Sequence, residues 1–205
     1  MELALICAQQ VIVLFLLIGV GTLAVKTGVL KLEHKQPLSN LLVNIVVPAM
    51  IVNSYQMEFS LEILRNLLAA FGLSILTVTL GTVLTLALTA RRKNRRTAIF
   101  RFASIFSNAA YMGFPLISAL FGSEGLLYAS AYVTVFNVLL WTLGYSMVSG
   151  SSDPKAVVKS LAHTPAIYAV LVGLAIYLLQ IPIPALLAQP ISLLGAMNTP
   201  LSMLI

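Results

Sequence analysis

Seven apolar runs, each close to the roughly twenty residues that a helix needs to cross hydrocarbon, constrain this chain before anything else does. They are Leu3 to Val25, Leu38 to Tyr55, Leu64 to Thr89, Ile99 to Phe121, Leu126 to Val148, Val157 to Ile181 and Leu186 to Ile205. Hydrocarbon offers no partner to a backbone N–H or C=O, so runs of this length must be helices that satisfy their own backbones. Charged residues make up 9% of the 205 and mean hydropathy is +1.00, against about 25% charged in soluble domains. The chain therefore reads as an all-α polytopic membrane protein. The first run is a retained span and not a cleaved signal, because Glu2 precedes it and its lysines follow it.

The net charge of +6 is gathered between the runs. Lys26, Lys31 and Lys35 follow span one, Arg91, Arg92, Lys93, Arg95, Arg96 and Arg101 follow span three, and Lys155 and Lys159 follow span five. The loops after spans two and four hold Glu58, Glu62 and Glu124, and the loop after span six holds nothing ionisable. Basic loops face the cytoplasm, so this alternation places the N-terminus outside a multi-pass protein of the cell (plasma) membrane. It reports orientation in a lipid bilayer, not contact with nucleic acid. Cys7 is the single cysteine, which excludes an intrachain disulfide.

Within the fourth run, SIFSNAAYMGFPLISALF (104–121) places Ser107, Asn108, Gly113 and Pro115 where only Leu, Ile and Val are expected. Pro115 lacks an N–H and crowds the carbonyl one turn back, which predicts a failed ladder near Tyr111 and a bend at Gly113. Backbone groups freed at that depth are tolerated beside a cavity, and interrupted helices are where secondary transporters bind substrate. The plain alternative is a kinked helix whose Asn bonds a neighbour.

Five helices per structural unit would make the next unit enter from the opposite side, as in inverted-repeat transporters. This predicts a first repeat over 1–148, a cytoplasmic linker over 149–156 containing SGSSDP, and a second repeat started at 157–205. Aligning SNLLVNIVVPAMIV with ISLLGAMNTPLSMLI puts Pro48 on Pro200 and gives each helix an asparagine within a turn before its proline, Asn44 and Asn198. The run ending at Ile205 has no polar flank, so the chain reads as a fragment with an incomplete second repeat. Asn44, Pro48 and Asn198, together with Asn137 in span five, are the remaining candidate site residues; interhelical hydrogen bonding is the other use for such amides. No Asp, Glu or Lys stands mid-span, and His34 and His163 have no neighbouring ligands. No catalytic set, metal site or cofactor is expected.

The run SNAAYMGFPLISALFG, preceded by NLLVNIVVPAMIVNS and followed by FNVLLWTLG, resembles the auxin efflux carrier family, whose bacterial members include malate and malonate permease-like proteins. The resemblance extends over the chain to LLGAMNTPLSMLI. It implies a ten-helix carrier of two inverted five-helix repeats, of which this chain holds the first repeat and two helices of the second, with a scaffold and a transport domain moving elevator-fashion. It also implies that span four is a broken crossover helix beside a small organic anion, with Asn108 and Pro115 at the crossover, Asn137 on the fifth helix, and Asn44 with Pro48 on the scaffold side; Tyr111, Gly113 and Asn198 complete the candidate substrate-binding set from the residues themselves. Proton or sodium coupling, and a homodimer through the scaffold helices, are compatible with it. The competing reading is a non-transporting seven-helix receptor-like or interaction module.

Overall fold

The structure, a computed structural model, describes residues 2–91, 95–106, 109–144, 146–147, 155 and 164–205. The first span is α1 (Glu2–Lys26). A short 3-10 turn, Leu32–His34, leads into α2 (Lys35–Ser54). Inside α2 the α-helical ladder gives way to a π-helical turn over Leu42–Val46, where the Val47 N–H reaches back to the Leu42 carbonyl. Pro48 explains it: its ring crowds the carbonyl of Asn44 and supplies no N–H to it, and one extra residue in the turn lets the chain pass.

Next come α3 (Leu61–Leu88), α4 (Arg95–Ile105), and a helical stretch Ala109–Leu139 that turns at Gly122, φ 60° and ψ −147°. Only glycine adopts that conformation readily, so the turn needs almost no loop. We call the two parts α5 (109–121) and α6 (123–139); α6 runs on through a π-helical turn, Leu140–Gly144. After Thr164, in extended conformation, Pro165 opens α7 (Pro165–Leu179), as suits a residue with no N–H to lose. The last span is α8 (Ala185–Ala196) and α9 (Asn198–Leu204), divided at Met197 because Pro200 cannot donate to the Ala196 carbonyl. The expected start of span six at Val157 and nearly all of the 149–156 linker lie outside the described residues.

By length and composition, Leu5–Lys26, Lys35–Ser54, Leu61–Leu88 and Gly113–Gly144 could each cross a membrane, the last turning at Gly122 on the way. The protein is an all-helical polytopic membrane protein. Helices this apolar on every side show no stripe to aim at a core, so neighbours decide which face is buried.

Two packed groups result. In one, α3 lies along α5–α6 and α4 lies against α3. In the other, α2 is held between α7 and α8, and α1 packs on α9. Gly195 of α8 meets α2 so closely that a Cβ there would stand 2.9 Å from the Met50 Cα. The groups share a core in which Val46, Ile51 and Tyr55 of α2 meet Phe114, Leu127 and Val170. At its centre the Tyr55 hydroxyl and Ser130 Oγ form a fully buried hydrogen bond of 2.8 Å between α2 and α6.

Lys26 ends α1, Lys35 opens α2 and Arg91 follows α3, whereas Glu58 follows α2, Glu62 opens α3 and Glu124 opens α6, so basic and acidic residues alternate from one helix end to the next. Arg65, one turn into α3, is a basic residue at the acidic end, which the loop pattern did not anticipate.

Candidate functional site

The interruption that the sequence suggests in span four is present, but earlier than expected. Helix α4 closes at Ile105, and Phe106 has left the helix although its N–H still reaches the Phe102 carbonyl at 2.9 Å. The Phe106 ring, 8% exposed, is wedged edge-on against Phe136 at 5.6 Å, fixing the end of α4 to α6. The chain is helical again from Ala109 and passes Tyr111, Gly113 and Pro115 with helical backbone. This corrects the expected failure of the ladder near Tyr111. Pro115 sits in the second turn of α5, where its lack of an N–H removes a single bond and the ring is accommodated among core side chains, less than 2% exposed. The first N–H groups of a helix have no intrahelical partner, so the break after Ile105 leaves such groups near the start of α5. Asn108, and with it Ser107, lies outside the described residues, as does the side chain of Tyr111.

The other candidate residues are not gathered in one cavity. Gly113 borders an apolar space of about 200 Å³ shared with Val11, Leu14, Phe15 and Ile18 of α1. Pro48 lines a different one, about 440 Å³, with Tyr168 and Val172 of α7 and Ile191 of α8.

The three candidate asparagines among the described residues, Asn44, Asn137 and Asn198, differ in what their amides do. Asn44, exposed in the π-helical turn of α2, donates from Nδ2 to the Asn40 carbonyl at 2.7 Å. Asn137, half-buried on α6, donates to the Val133 carbonyl at 2.9 Å. Each amide is engaged by its own helix. Asn198 is 2% exposed, and neither Nδ2 nor Oδ1 has a hydrogen-bond partner among the described residues. It opens α9, which packs on α1, on the α5–α6 pair and on the π-helical turn of α2. A buried amide left in that condition costs on the order of 1–3 kcal/mol per unsatisfied group. The arrangement offers one donor and one acceptor to a small polar molecule, and no charged side chain among the described residues is fully buried.

One contact that ties helix ends together escaped the sequence reading. Arg101, counted with the basic cluster after span three, donates from Nε to Thr89 Oγ1 at 2.7 Å and from Nη2 to the Thr89 carbonyl at 2.8 Å. The last carbonyls of a helix lack intrahelical donors, and the planar guanidinium supplies two at once, tying the half-helix α4 to the end of α3. A threonine closing one span and an arginine twelve residues on, across a short basic loop, was the available signal.

Comparison with known proteins matches residues 6–205 to the family described as Membrane transport protein. An "Uncharacterized transporter" of Methanothermobacter thermautotrophicus is 27% identical over 180 residues, covering 85% of this chain and 58% of that protein. The chain thus spans a little over half the length of that curated relative.

Proposed function

The chain belongs to the membrane transport protein family, the family of the auxin efflux carriers that its sequence resembles, and from that premise we propose that the protein carries a small organic anion, with carboxylates the favoured class. As a membrane transporter it is embedded in lipid and moves a small solute. The observation that carries the proposal further is the amide of Asn198, buried and unpaired on a helix packed against the pair that follows the interruption.

In this reading the first-turn N–H groups of α5 and the positive end of its dipole draw the carboxylate, with Asn108 beside them. Asn198 Nδ2 adds a donor, and its Oδ1 accepts from a hydroxyl or water of the solute. Dipoles of this kind hold an anion without a buried lysine or arginine, which suits a cargo that must be released again. Tyr111, Gly113 and Pro115 shape the start of α5, and Gly113 leaves space for the apolar part of the solute. Asn137, Asn44 and Pro48 line the path as the helices move.

The two packed groups suggest the moving parts. We assign α1, α2 and α7 to α9 to a scaffold and α3 to α6 to a transport body that slides against it in an elevator-like cycle of alternating access. Under this assignment 1–148 is the first inverted repeat and 157–205 the beginning of the second, joined by a cytoplasmic linker over 149–156. The basic end faces the cytoplasm, the N-terminus lies outside the cell (plasma) membrane, a proton or sodium gradient drives the cycle, and scaffold helices pair two copies.

Proteoliposome uptake of a panel of radiolabelled mono- and dicarboxylates, with and without proton or sodium gradients, tests the proposal. Saturable uptake of at least one carboxylate is expected, and Asn108→Ala should cut it tenfold or more at normal expression. Unaltered uptake in that variant would remove Asn108 from the site, and no uptake of any carboxylate would overturn the substrate class.

A further inference from the structure

At the acidic end of the bundle a second polar site is built by residues that the transport reading leaves unused. There the loop after α2 is stitched to the end of α7. The Tyr177 hydroxyl donates to the Ser60 carbonyl at 2.9 Å and accepts from the Ser60 N–H at 3.1 Å. The Phe59 ring lies 5.6 Å from that of Tyr177. Gln180 closes α7 in the left-handed region, φ 49° and ψ 44°, a strained conformation for a residue with a Cβ. That conformation turns its side chain back so that Nε2 donates to the Tyr177 carbonyl at 2.6 Å.

The two segments frame a cavity of about 400 Å³, in the size range of small-molecule sites. Its polar lining includes Gln56, Glu58 and Gln180, and its apolar wall Met57, Ile181 and Ile183. Gln56 lines the cavity, and its Nε2 is buried with no hydrogen-bond partner among the described residues, a donor left without an acceptor. Glu58 stands exposed on the rim and makes no ion pair among the described residues. A donor seeking an oxygen and a carboxylate seeking a cation, a few ångströms of apolar wall beside them, define a complementary ligand. The cavity also lies where two apolar helices, α2 and α7, end, which is where a bilayer's polar headgroups would meet a membrane-spanning helix.

We propose that this pocket, framed by the 55–60 loop and the end of α7, binds a small zwitterion joining a primary ammonium to an oxyanion, of the phosphoethanolamine type, free or as the headgroup of a phospholipid. The ammonium pairs with Glu58 and an anionic oxygen accepts from Gln56 Nε2. A trimethylammonium group cannot donate a hydrogen bond to Glu58, and a glycerol headgroup brings no cation. The pocket therefore distinguishes ethanolamine from choline and glycerol headgroups.

The test is thermal melting of the detergent-solubilised full chain with dihexanoyl-phosphatidylethanolamine, its choline and glycerol counterparts, and O-phosphoethanolamine. The ethanolamine lipid is expected to raise Tm by about 3 °C or more, as occupancy of a native-state site does. The choline and glycerol lipids should leave it unchanged. Glu58→Gln, a substitution at an exposed position, should abolish the shift without altering the unliganded Tm, and Gln56→Leu should abolish it independently. A matching rise with O-phosphoethanolamine assigns recognition to the free headgroup; a rise with the lipid alone assigns it to the membrane, and either supports the site. An equal response to the choline lipid, persistence of the shift in both variants, or no response to either ethanolamine probe would overturn it.

Discussion

Helices α2 and α8–α9 carry the same short pattern, an asparagine within a turn of a proline, and resolve it in opposite ways. In α2 the proline is accommodated by a π-helical turn, and the Asn44 amide repairs the neighbouring ladder by donating to Asn40 from an exposed position. In α8–α9 the helix stops for one residue at Met197, and Asn198 is buried with both amide atoms unpaired among the described residues. A proline thus decides that a helix will be disturbed, and the packing around it decides whether the polar residue mends the disturbance or is left available. In a carrier, the second outcome is the useful one.

Substitutions can break this comparison in graded steps. The largest stability loss is expected from Gly195→Val, because the contact that holds α8 on α2 leaves a Cβ only 2.9 Å from the Met50 Cα. Overpacking of this kind costs about 1–3 kcal/mol, seen as a drop in melting temperature in detergent. Asn198→Leu should act with the opposite sign: removing an unsatisfied buried amide at similar volume raises stability by about 1 kcal/mol or more, measured in the same melt. A fall in Tm would mean that Asn198 has a structural partner. Tyr55→Phe removes the hydroxyl that joins the two packed groups. Ser130 keeps its bond to the Leu127 carbonyl at 2.7 Å, so the loss should be near 1 kcal/mol. Asn44→Ala should be the mildest, a few tenths of a kcal/mol, since an exposed side chain bonding its own helix contributes little. An effect on Tm as large as that at Gly195 would show that Asn44 supports more than its own turn.

Much of this architecture was legible in the amino-acid sequence, for physical reasons that also mark where legibility ends. The first three spans fall within a few residues of α1, α2 and α3, because hydrophobic length is imposed by the bilayer and needs no knowledge of neighbours. Pro48 and Pro200 announced disturbed helices, and the disturbances lie beside them. Pro115 misled: its presence was read as the point of interruption, whereas the chain leaves the helix at Phe106 and runs helically through the proline. Proline marks a lost hydrogen bond, and a buried helix tolerates one such loss. The orientation of each asparagine was beyond the sequence, since helices apolar on all sides carry no periodicity to show which face turns inward. The Arg101 to Thr89 contact and the pocket at Gln56 were hidden for the same reason, as both depend on which helix ends meet in space.

The central claim is that the buried amide of Asn198, unpaired among the described residues on a helix packed against the α5–α6 pair, is kept for a passing anion. The most direct measurement compares saturable carboxylate uptake by the native protein, Asn198→Leu and Asn44→Ala in matched proteoliposomes, with melting temperatures recorded on the same preparations. The account predicts at least a tenfold loss of uptake in Asn198→Leu without loss of stability, and a much smaller, few-fold loss in Asn44→Ala, whose amide is engaged by its own helix. Full uptake by a well-folded Asn198→Leu protein would contradict it.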